Sequence, residues 1–195
     1  SLTSISSISS AGGNFCKDVE HVKIVSFSDS LTSFSSVFIT MYCLRSIEID
    51  RSTSNVTNWS STFQNCFSLE EIPELDFSAA QILNSTFQSC YKLIKLPNSL
   101  SNAVPTSMST TFYNCVLLRE IPMMDTSNCT SFKNTFMYCR SLSFAPHFDT
   151  SSGTDFYRMF FGCTALEEIP KNLDTSSTDQ TDSNPNYQMF YDCNK

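Results

Sequence analysis

The chain has 195 residues, 41% of them hydrophobic and 17 of them Phe, which is enough apolar mass for a core and excludes an intrinsically disordered chain. Charged residues are only 16%, the net charge is −7 and Gly numbers 4, which excludes the basic footprint of a nucleic-acid binder and argues against glycine-rich phosphate loops. No run of about 18 apolar residues occurs, so nothing reads as a membrane span.

Taken in chain order, residues 1–39 read as an N-terminal cap or a degenerate rung. Cys16, Val19 and Val22 mimic the pattern that follows, but Gly13 stands where a Phe is expected. Ser1 to Ser10 has neither a basic region nor a long apolar one, so it is not an intact signal peptide. The chain stops at Cys193-Asn194-Lys195 in an incomplete last rung; with Ser at position 1, this points to a mature or excised piece of a longer protein.

From residue 40 to 195 the cysteines set a period. Cys43, Cys66, Cys90, Cys115, Cys139, Cys163 and Cys193 lie 23, 24, 25, 24, 24 and 30 residues apart, the last step lengthened by an insertion at Asp174 to Asn186. A fixed period of this size is the mark of a solenoid. Three residues before each Cys stand Phe63, Phe87, Phe112, Phe136, Phe160 and Phe190; three after stand Leu69, Leu93, Leu118, Leu142 and Leu166. Six after come Ile49, Ile72, Leu96, Ile121, Ala145 and Ile169, then a column of Pro from Pro73 to Pro170.

Each rung predicts the same elements. Seven before the Cys stand Trp59, Leu83, Met108, Phe132 and Phe156, and ten before stand Val56, Ala80, Pro105, Cys129 and Gly153. Steps of three, four and three residues keep one face of a helix, so the stripe predicts a helix of about three turns. Clusters such as Asp125-Thr126-Ser127-Asn128 supply its N-cap. The Leu-x-x-Ile-Pro segment after the Cys is too short for a helix and reads as a short parallel strand ended by Pro. The expected architecture is an α/β solenoid of about seven rungs, stacked about 4.8 Å apart.

The pattern Phe112-Tyr113-Asn114-Cys115-Val116-Leu117-Leu118-Arg119-Glu120-Ile121-Pro122, followed by Asp125-Thr126-Ser127, resembles the BspA-like leucine-rich repeat of bacterial surface proteins. That resemblance implies an extracellular or cell-surface protein that binds host or neighbouring-cell components. Repeats of this kind also occur in phage and other viral proteins, so a virion location is the alternative.

The cysteine column is read as small buried thiols rather than disulfides. Parallel Cβ vectors on stacked rungs hold the sulfurs apart, and seven is an odd number. Zinc lacks a Cys-x-x-Cys pair. No phosphate loop, His-Glu-x-x-His or nucleophile elbow appears. His147 follows Cys139 by eight residues, but Cys139 points inward; Glu70-Glu71 and Glu167-Glu168 read as solvated edge carboxylates. The chain therefore reads as a non-enzyme without a cofactor. Asp125, Asp149 and Asp174 recur at one place, as turn and helix caps or alternatively as a calcium site, with Leu100 interrupting the series.

The outward sheet face carries the binding expectation: Glu71, Lys95, Arg119, Glu120, Phe144, His147 and Glu168 facing a protein or a cell-surface glycan. A second group, Tyr91, Tyr113, Tyr138, Tyr157, Phe161 and Tyr191, flanks the stripe and is available for contacts in an assembly. The alternative function is a structural part of an extracellular or virion assembly, such as a tail fibre or filament, built from copies of the chain or flanking repeats. Sequons stand at Asn55, Asn58, Asn84 and Asn128.

Overall fold

A computed structural model describes residues 18–24, 27–168, 170, 173–176 and 188–193. Gly13, Cys16, Ile169, Lys171 and most of the expected insertion lie outside the described residues. The chain is a repeat solenoid. Strand β1, His21–Ile24, pairs in parallel with β2, Ser46–Ile49, in the register Val22↔Ile47 and Ile24↔Ile49. Val22, Ile24 and Ile47 turn into the core while His21 and Lys23 face out, the period-two alternation of a half-buried strand. Later strands shrink to single parallel bridges, Glu71↔Lys95 and Phe144↔Glu168. Residues on both sides of position 39 share one ladder, since Phe34 stacks on Trp59 and Phe38 on Phe63.

The expected three-turn helix is not formed; among the described residues the one helical element is the 3₁₀ segment Asn98–Asn102. The apolar stripe is instead carried by a run of tight turns. In residues 59–66, the N–H groups of Trp59, Ser61, Phe63 and Asn65 donate to the carbonyls of Ile82, Asn84, Thr86 and Gln88 on the next rung, at 2.8 to 2.9 Å. The intervening N–H groups of Thr62, Gln64 and Cys66 turn back three residues, to Trp59, Ser61 and Phe63. Every second donor thus leaves the rung, and none is left over for an α-helical ladder.

This alternation needs left-handed residues, and they recur in two columns. Ser61, Ser85, Thr110, Asn134 and Arg158 have φ between 52° and 56°, and Asn65, Ser89, Asn114, Tyr138 and Gly162 between 59° and 71°. Asn and Gly tolerate that region best. The steric reason is rung spacing: Phe63, Phe87, Phe112 and Phe136 stack ring on ring at 5.5 to 5.7 Å. A helix about 10 Å across does not fit a layer of that thickness. A column of buried threonines, Thr62, Thr86, Thr111 and Thr135, completes the turn side. The Thr86 hydroxyl lies 2.7 Å from the Leu83 carbonyl and 3.0 Å from that of Trp59 on the preceding rung.

One column has a different first member from the one expected. Cys43 is half-exposed, and Met41 is the buried residue in line with Cys66, because Phe38 stacks on Phe63 and Tyr42 on Phe67 with offsets of 25 residues. The same shift brings Ile47 rather than Ile49 into the buried position ahead of Ile72. The other members keep their places. Cys66, Cys90, Cys115, Cys139 and Cys163 are buried, each thiol donating at 3.0 to 3.1 Å to the carbonyl of a Phe on the preceding rung, and the half-buried Cys193 does the same to Phe160. Phe63, Phe87, Phe112, Phe136 and Phe160 are fully buried, and Phe190 is partly buried against Phe160 at 5.4 Å.

Gly162 is fixed by two constraints at once. Its φ is +71°, and a Cβ built there would lie 2.5 Å from Cδ1 of the Tyr138 ring. We expect Gly162→Ala to lower stability by about 1–3 kcal/mol, from backbone strain plus displacement of the ring. Chemical denaturation of the two proteins side by side measures this; equal midpoints would refute it.

Candidate functional site

The outward sheet face begins at Glu20-His21 and Arg45-Ser46, where the corrected register places them, and continues through Glu70-Glu71, Ile94-Lys95, Arg119-Glu120, Ser143-Phe144 and Glu167-Glu168. The structure brings Glu71, Lys95, Glu120, Phe144 and Glu168 into one exposed column, with Arg119 in the adjacent one and His147 exposed just past Pro146. The first rungs of this face are laced by charge: Arg45 pairs with Glu20 at 3.4 Å, and Lys23 reaches both Glu48 and Asp50. These are exposed pairs, each worth little.

Backbone bonds join Ile94 to Glu70 and Glu167 to Ser143, but none joins residues 46–49 to 70–73, 94–97 to 119–122 or 119–122 to 143–146. Between residues 94–98 and 120–122 opens a notch of about 260 Å³, lined by Ile94, Lys95, Leu96, Asn98, Glu120, Ile121 and Pro122. The neighbouring 3₁₀ segment is held from the preceding rung, where the Glu74 carboxylate accepts from the Asn98 and Ser99 N–H groups; the Asn98 bond is the main reason its pKa falls. Around the notch the large apolar side chains point to solvent: Ile94 is 56% exposed, Met123 54% and Phe144 61%. Ile121 is only half-buried, whereas Ile47, Ile72 and Leu96 in its column are buried.

The aspartate column is a set of turn caps. Oδ1 of Asp125 accepts from the Ser127 hydroxyl at 2.7 Å and its N–H at 3.1 Å, and Asp149 holds Ser151 in the same way. These bonds hold both carboxyls below their ordinary pKa; Asp174, bonded by the Ser176 N–H, is lowered likewise. Among the described residues no three His, Cys, Asp or Glu side chains converge. The sequence reading also missed one member, Asp76, which caps Ser78 and is locked by Thr53, whose hydroxyl accepts from the Asp76 N–H at 2.7 Å. On the intervening rung Ser99 stands at the Asp position, and Leu100, buried, takes the place of Thr126 and Thr150, its C=O accepting from Ala103 as theirs do from Cys129 and Gly153.

The buried thiols are chemically quiet. Burial pushes Cys90, Cys129 and Cys139 up to about 12 and raises Cys66, Cys115 and Cys163 well above their ordinary value. A nucleophilic cysteine needs the opposite shift, so Cys139 is not a partner for His147. Of the four sequons, Asn55 and Asn128 are exposed, while Asn58 and Asn84 are half-buried and their side-chain oxygens accept from Ser60 and Ser107. No described helix is long and apolar enough to cross a membrane.

The profile of a family described as "Mycoplasma protein of unknown function, DUF285" matches residues 13–103, 32–143 and 106–195. Among solved structures, a leucine-rich repeat protein from Eubacterium ventriosum is 19% identical, with a TM-score of 0.60 over 91% of this chain. The leucine-rich repeat protein of T. pallidum is 22% identical, with a TM-score of 0.54 over 80% of this chain and 69% of its own. A leucine-rich cell surface protein from Faecalibacterium prausnitzii is 21% identical, with a TM-score of 0.52 over 80% of this chain. This chain spans 44% of the Eubacterium protein and 48% of the Faecalibacterium one. No curated protein matches it.

Proposed function

Since the chain belongs to the DUF285 family and carries the BspA-like leucine-rich repeat, we propose that it is a surface-exposed recognition module, binding a protein partner through its sheet face. The observation that carries this reading is the open notch in the middle of that face, with Ile94, Met123 and Phe144 exposed around it. A solvated face has no use for three large apolar side chains beside an open notch, and exposed apolar groups of this kind mark contact surfaces. Lys95, Arg119 and Glu120 surround them with both signs of charge, which suits register and specificity rather than raw affinity. The similarity to a leucine-rich cell surface protein supports an extracellular location.

The test is a screen of the purified chain against an array of folded extracellular proteins, followed by titration of each hit with variants. We expect Phe144→Asp and Arg119→Glu to weaken binding by about tenfold or more, the equivalent of about 1.4 kcal/mol, with unchanged melting temperatures. Hits whose affinity ignores both variants would place the interface elsewhere and overturn this reading.

A further inference from the structure

The turn side of the coil breaks the repeat in a second, unrelated way. On the early rungs the positions in line with Lys133, Arg158 and Phe161 hold the neutral side chains Ser60, Ser61, Gln64, Ser85 and Gln88, while the Arg140 column holds the stacked rings of Tyr42, Phe67 and Tyr91. On the later rungs the same positions hold Lys133, Tyr157, Arg158, Phe161 and Tyr191, joined by Tyr138 and Arg140. These side chains form one continuous chain of contacts. Lys133 Nζ lies 5.8 Å from the Tyr157 ring centre, and the Arg158 guanidinium sits between Tyr157 at 4.8 Å and Phe161 at 5.0 Å. Phe161 stacks on Tyr191 at 5.2 Å and meets Tyr138 edge-on at 5.5 Å, and Arg140 lies 5.7 Å from the Tyr138 ring.

The arrangement is set for a ligand rather than for the fold. Lys133 and Arg140 are exposed, and among the described residues none of the three cations forms a salt bridge with a carboxylate. Arg158 donates through Nε to Gln188, which fixes its plane and leaves its terminal N–H groups for another acceptor. The nearby acids are Asp155, whose Oδ1 accepts from the Tyr157 N–H, and Asp192. In a chain of net charge −7, a surface with three cations among rings is a local inversion.

We propose that this surface binds an anionic carbohydrate: a sugar ring lies against the exposed Tyr191 ring beside the half-buried Tyr138, and its sulfate or carboxylate is held by Lys133, Arg140 and Arg158. Aromatic faces take the apolar C–H side of a sugar, and cations already seated on rings meet an anion at low entropic cost. Three cations in an acidic chain are too few for a nucleic-acid track, which needs a stripe of phosphate contacts.

The experiment titrates the whole chain with a heparin tetrasaccharide, with sialyllactose and with neutral lactose, following the tyrosine resonances. We expect one or both acidic probes to bind and lactose not to. Affinity should fall as salt is added and drop by about tenfold or more in Lys133→Gln and in Arg140→Gln, both exposed positions whose change leaves the core intact. Phe144→Asp on the sheet face should leave it unchanged. Binding of sialyllactose shows that a carboxylate suffices, whereas binding of heparin, which carries both groups, without sialyllactose assigns the sulfate. The proposal falls if neither acidic probe binds, if lactose binds equally, if the variants bind as well as the parent, if an oligoglutamate peptide binds in preference, or if the patch instead joins two copies of the chain.

Discussion

Raising the pH from about 8 to about 10 should lower the melting temperature by about 20 °C, far more than an ordinary domain loses over that range. In the folded chain Cys66, Cys90, Cys115, Cys129, Cys139 and Cys163 stay neutral, because burial lifts them above their ordinary value of 9.0, to about 12 for Cys90, Cys129 and Cys139. In the unfolded chain they ionise near 9.0. A group whose folded pKa is the higher one contributes stability that is whole below its unfolded pKa and is lost as pH climbs toward the folded value. At one unit above 9.0 the loss is about 1.4 kcal/mol per thiol and about 8 kcal/mol over the six, against a total stability of about 5–15 kcal/mol. Cys90→Ala with Cys139→Ala should flatten the slope by about a third. Thermal melts at several pH values read this directly; a melting temperature that holds from pH 8 to 10 would mean the thiols are not buried as a file.

Phe112→Ala should cost about 3–5 kcal/mol and about 10–15 °C. Phe112 is fully buried and stacked on Phe87 at 5.5 Å and on Phe136 at 5.6 Å, so its loss opens a cavity and breaks two rung interfaces. A solenoid is held by nearest-neighbour terms, so the damage is not shared with distant rungs. Phe190, partly buried and stacked on Phe160 at 5.4 Å in the last described rung, should cost less than half as much when cut to Ala. Equal losses at the two sites, read by urea denaturation, would contradict the stacked-column account.

The period, the Phe and Leu columns and most of the Cys column were legible because each rung repeats the same inward positions. The backbone between them was not. Apolar residues at three-, four- and three-residue steps suit one face of a helix, but they suit a chain of turns with alternate donors sent to the next rung equally well. The deciding facts were the 5.5 Å layer thickness and the Ser and Asn residues at the left-handed positions, such as Ser61 and Asn65. Cys43 misled because it lies near the expected spacing, two residues past the buried Met41. Asp76 escaped notice because Phe77 replaces the Thr that follows Asp125 and Asp149. The sheet-face residues were assigned by position alone, but the notch between residues 94–98 and 120–122 is a property of the backbone packing, which no side-chain pattern records.

Rungs are joined through alternate backbone amides on the turn side and are unjoined at the middle of the sheet face. Through-hydrogen-bond scalar couplings between amide nitrogens and carbonyl carbons test this connectivity most directly. Couplings are expected from Phe63, Phe87, Phe112 and Phe136 to the carbonyls of Thr86, Thr111, Thr135 and Met159 on the next rung, and none between residues 94–97 and 119–122. Couplings running four residues back along the chain, or a bond across that central gap, would contradict it.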